Sequence, residues 1–381
     1  MDFSWSNEQM EFKRSVIRFA QNELGKGLVE RDRQAEFPRD EWRRCGQFGI
    51  LGLPFPEQYG GSEADILTTL LTMEGLGYGC RDNGLIFAMN AQMWSVQMPI
   101  YSFGTDAQKQ RYLPGLCRGE IIGAHGMSEP DSGSDAFSLR TRAQRVDGGY
   151  LLNGSKTFVT NAPVSDMAVV FATVDPAKGM WGVTAFLVDR GAPGFTVGRN
   201  LDKMGLRTSP MGELVFQDCF VAEAARLGPE GSGAKIFNHS MEWERSSILA
   251  SHVGAMERQL EECIAYARQR QQFDQPIGRF QSVANRIADM KVRLETARLI
   301  LYQVAWLKKQ GKPAVMEAAL AKLYLSEAYV QSSMDAIRIH GGYGYMTEFQ
   351  VERELRDAVG GTLYSGTSDI QRNIIARLLG L

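Results

Sequence analysis

Cysteine is scarce and scattered in this chain. The five residues Cys45, Cys80, Cys117, Cys219 and Cys263 are odd in number and show no Cys-x-x-Cys spacing, which argues against a disulfide framework or a zinc site and for a reducing compartment. Histidine is scarcer still. His125, His239, His252 and His340 have no metal-ligand spacing, and the His239-Ser240 pair has no third member to complete a hydrolytic triad. Charge of one sign is also missing: 42 basic residues meet 44 acidic ones, for a formal net charge of −2. No dense Lys/Arg run is present, so nucleic acid is not an expected partner. No apolar run approaches the roughly 20 residues that span a bilayer, and the first ten residues, Met-Asp-Phe-Ser-Trp-Ser-Asn-Glu-Gln-Met, are polar with no signal core. No membrane association and a cytoplasmic location are therefore expected. Dinucleotide and phosphate fingerprints are absent too. Gly75, Gly77 and Gly79 fall short of G-x-G-x-x-G, and Gly228-Pro229-Glu230-Gly231-Ser232-Gly233-Ala234-Lys235 lacks the Lys-Ser/Thr and a leading strand.

What is present divides into three textures. Up to residue 117, apolar positions such as Phe12, Val16, Ile17 and Phe19-Ala20 fall at helical spacing, broken by Pro54, Pro56, Gly60 and Gly61. A second stretch runs from Ile66 to Met73, and a helix from about Leu85 to Phe103 is apolar on nearly every face and should be buried. From 118 to 230, short β-type runs are separated by turn signals that include Asp147-Gly148-Gly149, Asn153-Gly154 and Ala192-Pro193-Gly194. They predict a small antiparallel sheet domain, barrel or sandwich. From 231 to 381, long Ala/Leu/Glu/Arg/Gln patterns with few breakers predict a helix bundle. The expected class is α+β, ordered helices, sheet, helix bundle.

One carboxylate stands out. If residues near 240 are helical, Phe237, Met241, Glu244 and Ile248 share a face, an apolar stripe interrupted by Glu244, while Glu242 lines up with Asn238, His239, Arg245 and Ser246. A carboxylate on a buried stripe is costly unless paired or functional. Pattern alone leaves two readings: a general base with a pKa raised by desolvation, or a buried ion pair with an arginine elsewhere.

Three further segments narrow the choice. They are Met127-Ser128-Glu129-Pro130-Asp131-Ser132-Gly133-Ser134-Asp135, then Arg270-Gln271-Gln272-Phe273 with Pro276-Ile277-Gly278 and Phe280-Gln281. The last is Ile339-His340-Gly341-Gly342-Tyr343-Gly344 with Arg356-Asp357-Ala358 and Tyr364-Ser365-Gly366-Thr367-Ser368-Asp369-Ile370-Gln371. In this order and spacing they resemble the acyl-CoA dehydrogenase family over the whole chain. The resemblance implies an N-terminal helical domain (1–117), a central antiparallel β-domain (118–230), a C-terminal four-helix bundle (231–381) and a homotetramer. It also implies FAD bound between the β-domain and the bundle, with its adenine end reaching a neighbouring subunit.

Residue by residue, the resemblance places flavin contacts at His125, Met127, Ser128, Gly133 and Ser134. Phe158 and Thr160 would pack on the isoalloxazine, Phe158 standing where relatives often have Trp. Arg270, Phe273 and Gln281 would hold the pyrophosphate and adenosine across the subunit boundary, with Arg338, Gly342, Thr367 and Asp369 as further contacts. Relatives often have Gln at positions 338 and 369. Turn geometry is the plainer reading of the glycines, and core packing of Phe158. Many members carry the catalytic base in Tyr-Glu-Gly-Thr-Ser, where this chain has Tyr364-Ser365-Gly366-Thr367-Ser368. A smaller set, typified by isovaleryl-CoA dehydrogenase, supplies it from a Leu-Glu-Arg context in the first long helix of the bundle, which Trp243-Glu244-Arg245 matches. The resemblance and the helical face thus select Glu244, with the Ser365 backbone N–H as donor to the thioester carbonyl.

Within the family the chain looks more like the prolyl-carrier-protein dehydrogenases of secondary metabolism, the anatoxin-type oxidases among them. The resemblance rests on Ser240-Met241-Glu242-Trp243-Glu244-Arg245, Met256-Glu257-Arg258-Gln259-Leu260-Glu261 and the Gln97-Met98-Pro99-Ile100 to Phe103-Gly104 segment. It implies oxidation of a proline tethered to a peptidyl or acyl carrier protein, to a pyrroline or further to a pyrrole. A short- or branched-chain acyl-CoA dehydrogenase is the alternative. Phe87, Ala91, Trp243 and Tyr364 are candidate walls of a short acyl pocket, with ordinary core packing as their other reading.

Overall fold

A computed structural model describes residues 4–381; the first three residues of the polar N-terminal stretch lie outside it. Seven helices come first: α1 (Asn7–Glu23), α2 (Leu28–Gln34), α3 (Arg39–Phe48), α4 (Ile66–Gly79), α5 (Asn83–Gln92), α6 (Met98–Phe103) and α7 (Asp106–Cys117). The start of α1 is fixed by a capping box, in which the Ser6 side chain accepts from the Gln9 backbone N–H and the Gln9 side chain accepts from the Ser6 N–H. The apolar helix expected from Leu85 to Phe103 is one continuous rod, α5 running through a π-helical turn (Met93–Gln97) into α6. Its residues from Gly84 to Ile100 are buried except Ala91.

Eight strands follow: β1 (Gly123–Gly126), β2 (Arg142–Val146), β3 (Gly149–Thr160), β4 (Met167–Thr173), β5 (Val183–Asp189), β6 (Phe195–Asn200), β7 (Met211–Ala222) and β8 (Arg226–Leu227). They form one sheet in the order β6-β7-β3-β2-β4-β5-β8, with β1 beside β4. Most pairings are antiparallel, as expected, with two exceptions. β1 runs parallel to β4, and β2 meets β4 in parallel at Arg142 and Thr173, because the β2–β3 hairpin intervenes before the chain returns alongside β1. Asn153-Gly154, read as a turn, lies inside the continuous strand β3, at a bulge where Gly154 has φ +143°. A Cβ there would come within 2.6 Å of Thr141 Oγ1, so the glycine answers to close packing and not to chain reversal. β4 is buried along its whole length. Alternate residues serve opposite cores: Met167, Val169 and Phe171 pack with Ile100, Leu113 and Ile236 from the helices, while Ala168, Val170 and Ala172 pack within the sheet domain.

The remaining elements are α8 (Gly233–Ser247), α9 (Ala250–Gln269), a hairpin of β9 (Gln271–Gln272) and β10 (Gln275–Pro276), α10 (Gln281–Lys309), α11 (Val315–His340), α12 (Gly342–Tyr345), α13 (Val351–Gly360) and α14 (Ser368–Leu378). The strand β8 does lead into the Gly228–Lys235 segment, contrary to the sequence reading, but it is two residues long and Lys235 is an exposed side chain of α8. The helices before and after the sheet share one hydrophobic core: Val16, Trp42, Leu76 and Trp94 pack in the same cluster as Val253, Leu294, Leu301 and Leu325. Contact between α4 and α9 depends on glycine. A Cβ on Gly77 would stand 2.0 Å from the Ser251 carbonyl oxygen, and one on Gly254 would stand 1.9 Å from that of Glu74. The glycines of 75–79 therefore serve helix packing. α8 lies at the junction, with Ile236 in the core facing the sheet and Ile248 in the helical core. No helix among the described residues is long and apolar enough to cross a membrane, and all five cysteines are buried and unpaired.

Candidate active site

Glu244 sits on the inner face of α8 and is 8% exposed. Met241 and Ile248 on the same stripe are buried and Phe237 is half-buried; of the face read as polar, Glu242 is half-buried but Ser246 is buried as well. Among the described residues no arginine closes on the Glu244 carboxylate, so the ion-pair reading of this residue does not hold. Its two oxygens instead accept from two hydroxyls. Ser365 Oγ donates to Oε1 at 2.5 Å, and Ser95 Oγ donates to Oε2. Burial pushes the carboxyl above its ordinary value, while the Ser365 and Ser95 hydrogen bonds and the charges of Arg245 and Lys322 hold it down. Opposed in this way, a buried carboxylate can be ionised and still basic enough to take a proton.

Ser365 lies in the turn between α13 and α14. Its φ is +55°, a strained conformation for a residue with a Cβ. The turn is pinned from three sides: Gln371 Nε2 donates to the carbonyls of Ser365 and Gly366, Ser368 N–H donates to Thr362, and Lys322 Nζ donates to Gly361 at 2.5 Å. Among the described residues the Ser365 N–H makes no hydrogen bond, which leaves it as a fixed donor beside the carboxylate. Lys322 is fully buried, and burial lowers its pKa to about 8 against the attraction of Glu244.

The four candidate wall residues fall into two groups. The Phe87 and Tyr364 rings pack 4.6 Å apart, and Tyr364 Oη is fixed against His252 Nε2 at 3.0 Å. Ala91 follows Phe87 one turn along α5 and Ser95 follows Ala91, so the three share a face of the rod. Trp243 does not join them. It stacks on Trp94 at 6.0 Å, carries Lys308 4.3 Å above its ring, and directs Nε1 to His239. One residue before Glu244 on α8 is about 100° around the helix, enough to take the indole into the core. Ser95, which no sequence argument singled out, replaces it at the base. Its signal was the i, i+4 run from Phe87 through Ala91, hidden because the segment reads as uniformly apolar.

The sheet supplies the next group. His125 is on β1, its ring 6.0 Å from Phe237 of α8. Burial, with Lys156 nearby, lowers its pKa to about 4, and its Nε2 is buried without a partner. Met127 and Ser128 follow β1, their carbonyls bound by Lys156 Nζ and the Thr157 N–H, so the motif is stitched to β3. Phe158 on β3 is 66% exposed with φ +55°. An exposed aromatic on strained backbone inside a strand fits a face awaiting a flat ligand rather than core packing. Thr160 lies two residues on, half-buried, opposite Met211 of β7. Gly133 and Ser134 are exposed, and a Cβ on Gly133 would meet nothing within 4 Å.

A third group is set apart. Arg270, Gly341, Gly342, Tyr343 and His340 line a cleft of about 530 Å³, with the Arg270 guanidinium 5.6 Å from the Tyr343 ring. Phe273 is 87% exposed at the tip of the β9–β10 hairpin and Gln281 opens α10 in solvent. Arg338 pairs with Asp335 at 3.3 Å. Among the described residues, no hydrogen bond or ring contact joins this cleft to the first motif. Thr367 is used as the N-cap of α14, and Asp369 pairs with Arg372 at 3.2 Å. The orphaned His125 Nε2, the bare Phe158 face and the open space around Gly133, Gly341 and Gly342 fit an extended, partly aromatic cofactor with an anionic middle, as FAD is.

A buried carboxylate and an unbonded turn N–H thus meet where the sheet adjoins the helices, and family models match the chain in three parts. Those of the acyl-CoA dehydrogenase N-terminal, middle and C-terminal domains match residues 6–120, 124–219 and 231–380. The chain belongs to the acyl-CoA dehydrogenase family. Among its relatives, an L-prolyl-[peptidyl-carrier protein] dehydrogenase of Pseudomonas fluorescens is 44% identical, with both chains covered fully. Among solved structures, the prolyl acyl carrier protein oxidase AnaB is 52% identical at a TM-score of 0.98, covering 99% of this chain and 100% of that one. PigA with FAD and proline is 42% identical at 0.98, with both covered fully.

Proposed function

We propose that this chain is an FAD-dependent dehydrogenase or oxidase of an L-prolyl thioester carried on a peptidyl or acyl carrier protein, acting in secondary metabolism. The observation that carries the proposal is the buried Glu244 carboxylate bonded to the Ser365 turn, whose preceding residue Tyr364 packs on Phe87. The relatives that act on prolyl carrier proteins support the substrate.

In this reading the Ser365 N–H donates to the thioester carbonyl oxygen and polarises it, stabilising charge that develops as the Cα–H bond breaks. Glu244 accepts that proton, forming its own O–H bond. FAD, when bound, would supply the hydride acceptor for oxidation at Cβ, to a pyrroline or further to a pyrrole. His125, Met127, Ser128, Gly133, Ser134, Phe158 and Thr160 would hold the flavin at the sheet, with Thr367 and Asp369 at α14. Arg270, Phe273, Gln281, Arg338 and Gly342 would bind the pyrophosphate and adenosine of a neighbouring subunit's FAD in a homotetramer, which accounts for their separation within one chain. The five unpaired thiols favour the cytoplasm.

The test is steady-state turnover of L-prolyl-S-carrier protein beside butyryl-CoA and isovaleryl-CoA. Efficient turnover of the prolyl carrier and slow or absent turnover of the CoA esters is expected. Efficient use of the CoA esters with an unchanged prolyl carrier would overturn the substrate assignment.

A further inference from the structure

Glu244 has to be ionised to take a proton, yet it is 8% exposed and its strongest environmental influence, burial, favours the neutral acid. Among the described residues no cation bonds to it. Two neutral hydroxyls do, each on a different oxygen: Ser95 on Oε2 and Ser365 on Oε1. The two serines come from unrelated parts of the chain. Ser95 lies in the π-helical turn of the α5–α6 rod, a local widening that often marks a functional position, and Ser365 lies in the strained turn before α14. Both sites are rigid. Ser95 is 3% exposed within the helical core, and the Ser365 turn is tied down by Gln371 and Lys322.

We propose that Ser95 and Ser365 are positioning residues that form a two-hydroxyl clamp on Glu244, holding its carboxylate plane and keeping it ionised in a dry pocket. The inference rests on the reading of Glu244 as the base. A hydroxyl donating to a carboxylate stabilises the charged form more than the neutral acid, and two on opposite oxygens also fix rotation about the last side-chain bond. Each carboxylate oxygen has a second lone pair, so the clamp leaves room for the incoming Cα proton. Serine at both positions is informative. Threonine could donate equally, whereas alanine or a branched aliphatic residue would fill similar space without donating. The charged and titratable groups that also face Glu244 are Arg245 on its own helix, Lys322 on α11 and Tyr364 on the turn. None of them hydrogen-bonds to it, so the clamp is the direct contact and they act at a distance.

The test is anaerobic rapid mixing of the holoenzyme with L-prolyl-S-carrier protein across pH, following flavin bleaching. Wild type is compared with Ser95→Ala, Ser365→Ala and Ser95→Thr. Losing one charge-assisted hydrogen bond should move the acidic limb of the reduction rate up by about one to two pH units in each alanine variant, with rates recovering toward wild type at higher pH. Ser95→Thr should keep the wild-type limb. The prolyl amine titrates identically in every case, so it cannot produce a difference between variants. Coincident limbs in wild type and both alanine variants, or an equal loss of rate at every pH, would overturn the clamp. Should Ser95→Ala fail to retain flavin, Ser365→Ala at the surface-reaching turn gives the same reading. Glu244→Gln in the same series separates the two claims. Normal bleaching in that variant rejects Glu244 as base, whereas a dead variant with unmoved serine limbs rejects only the clamp.

Discussion

Glu244→Gln keeps the shape and hydrogen-bonding capacity of the side chain but removes its ability to accept a proton. Flavin absorbance should persist, and reduction by the prolyl carrier should fall by about 10²–10⁴-fold, the usual worth of a general base. Stopped-flow bleaching reads it directly. Phe87 tests the pocket wall. Removing its ring from the tilted pair with Tyr364 costs about 3 kcal/mol, visible as a lower Tm, and in this reading lengthens the acyl space. Butyryl-CoA turnover should rise relative to prolyl turnover in Phe87→Ala; an unchanged ratio would place the wall elsewhere. At this scale the sequence was legible where burial follows periodicity, as for Glu244 on its apolar stripe. It failed where a neighbour on the helix carries a large ring. Trp243 was a plausible pocket residue by type, but the turn of α8 sends it to Trp94 and Lys308. Ser95 was overlooked for the opposite reason, being a small polar residue in an apolar run whose partner lies 149 positions away.

Elements show how the site is braced. The segment after β1 is anchored by Glu129, which accepts from the Arg140 and Thr141 N–H groups and pairs with fully buried Lys156 at 2.6 Å. Burial alone would raise the Glu129 pKa, but Lys156 and these hydrogen bonds outweigh it, and the group titrates below its ordinary value. Its folded pKa being lowered, it stabilises the fold above the unfolded carboxylate pKa of about 4.3 and loses that contribution as pH falls through the folded value. Glu129→Ala strands the lysine and should cost about 3–5 kcal/mol near neutral pH, with the deficit shrinking on acidification. Thermal unfolding across pH follows it, and a deficit independent of pH would contradict the ion-pair account. Helices were legible where apolar periodicity is local, as in the stretches Ile66 to Met73 within α4 and Leu85 to Phe103 along the α5–α6 rod. The bulge at Gly154 and the parallel pairing of β1 with β4 were not, since both depend on what the strand meets from distant sequence.

Across the whole molecule, helices from both ends of the chain close one core around the rod that carries Phe87, Ala91 and Ser95, while the sheet brings His125 against α8. The three textures in sequence identify the layers, but a core shared between residues 16 and 325 leaves no local trace. The Arg270 cleft belongs to this scale as well. Arg270→Ala should lower FAD retention without changing the oligomer, measured as flavin per protomer and sedimentation; full flavin occupancy would contradict a cross-subunit role. The central claim, proton loss from a prolyl Cα to Glu244, is tested most directly by intact-mass spectrometry of carrier protein loaded with L-proline deuterated at Cα, after incubation with wild type or Glu244→Gln. The account predicts that wild type removes the deuterium together with one further hydrogen and that Glu244→Gln returns the carrier unchanged. A carrier that keeps its deuterium while losing other hydrogens, or equal conversion by both proteins, would contradict it.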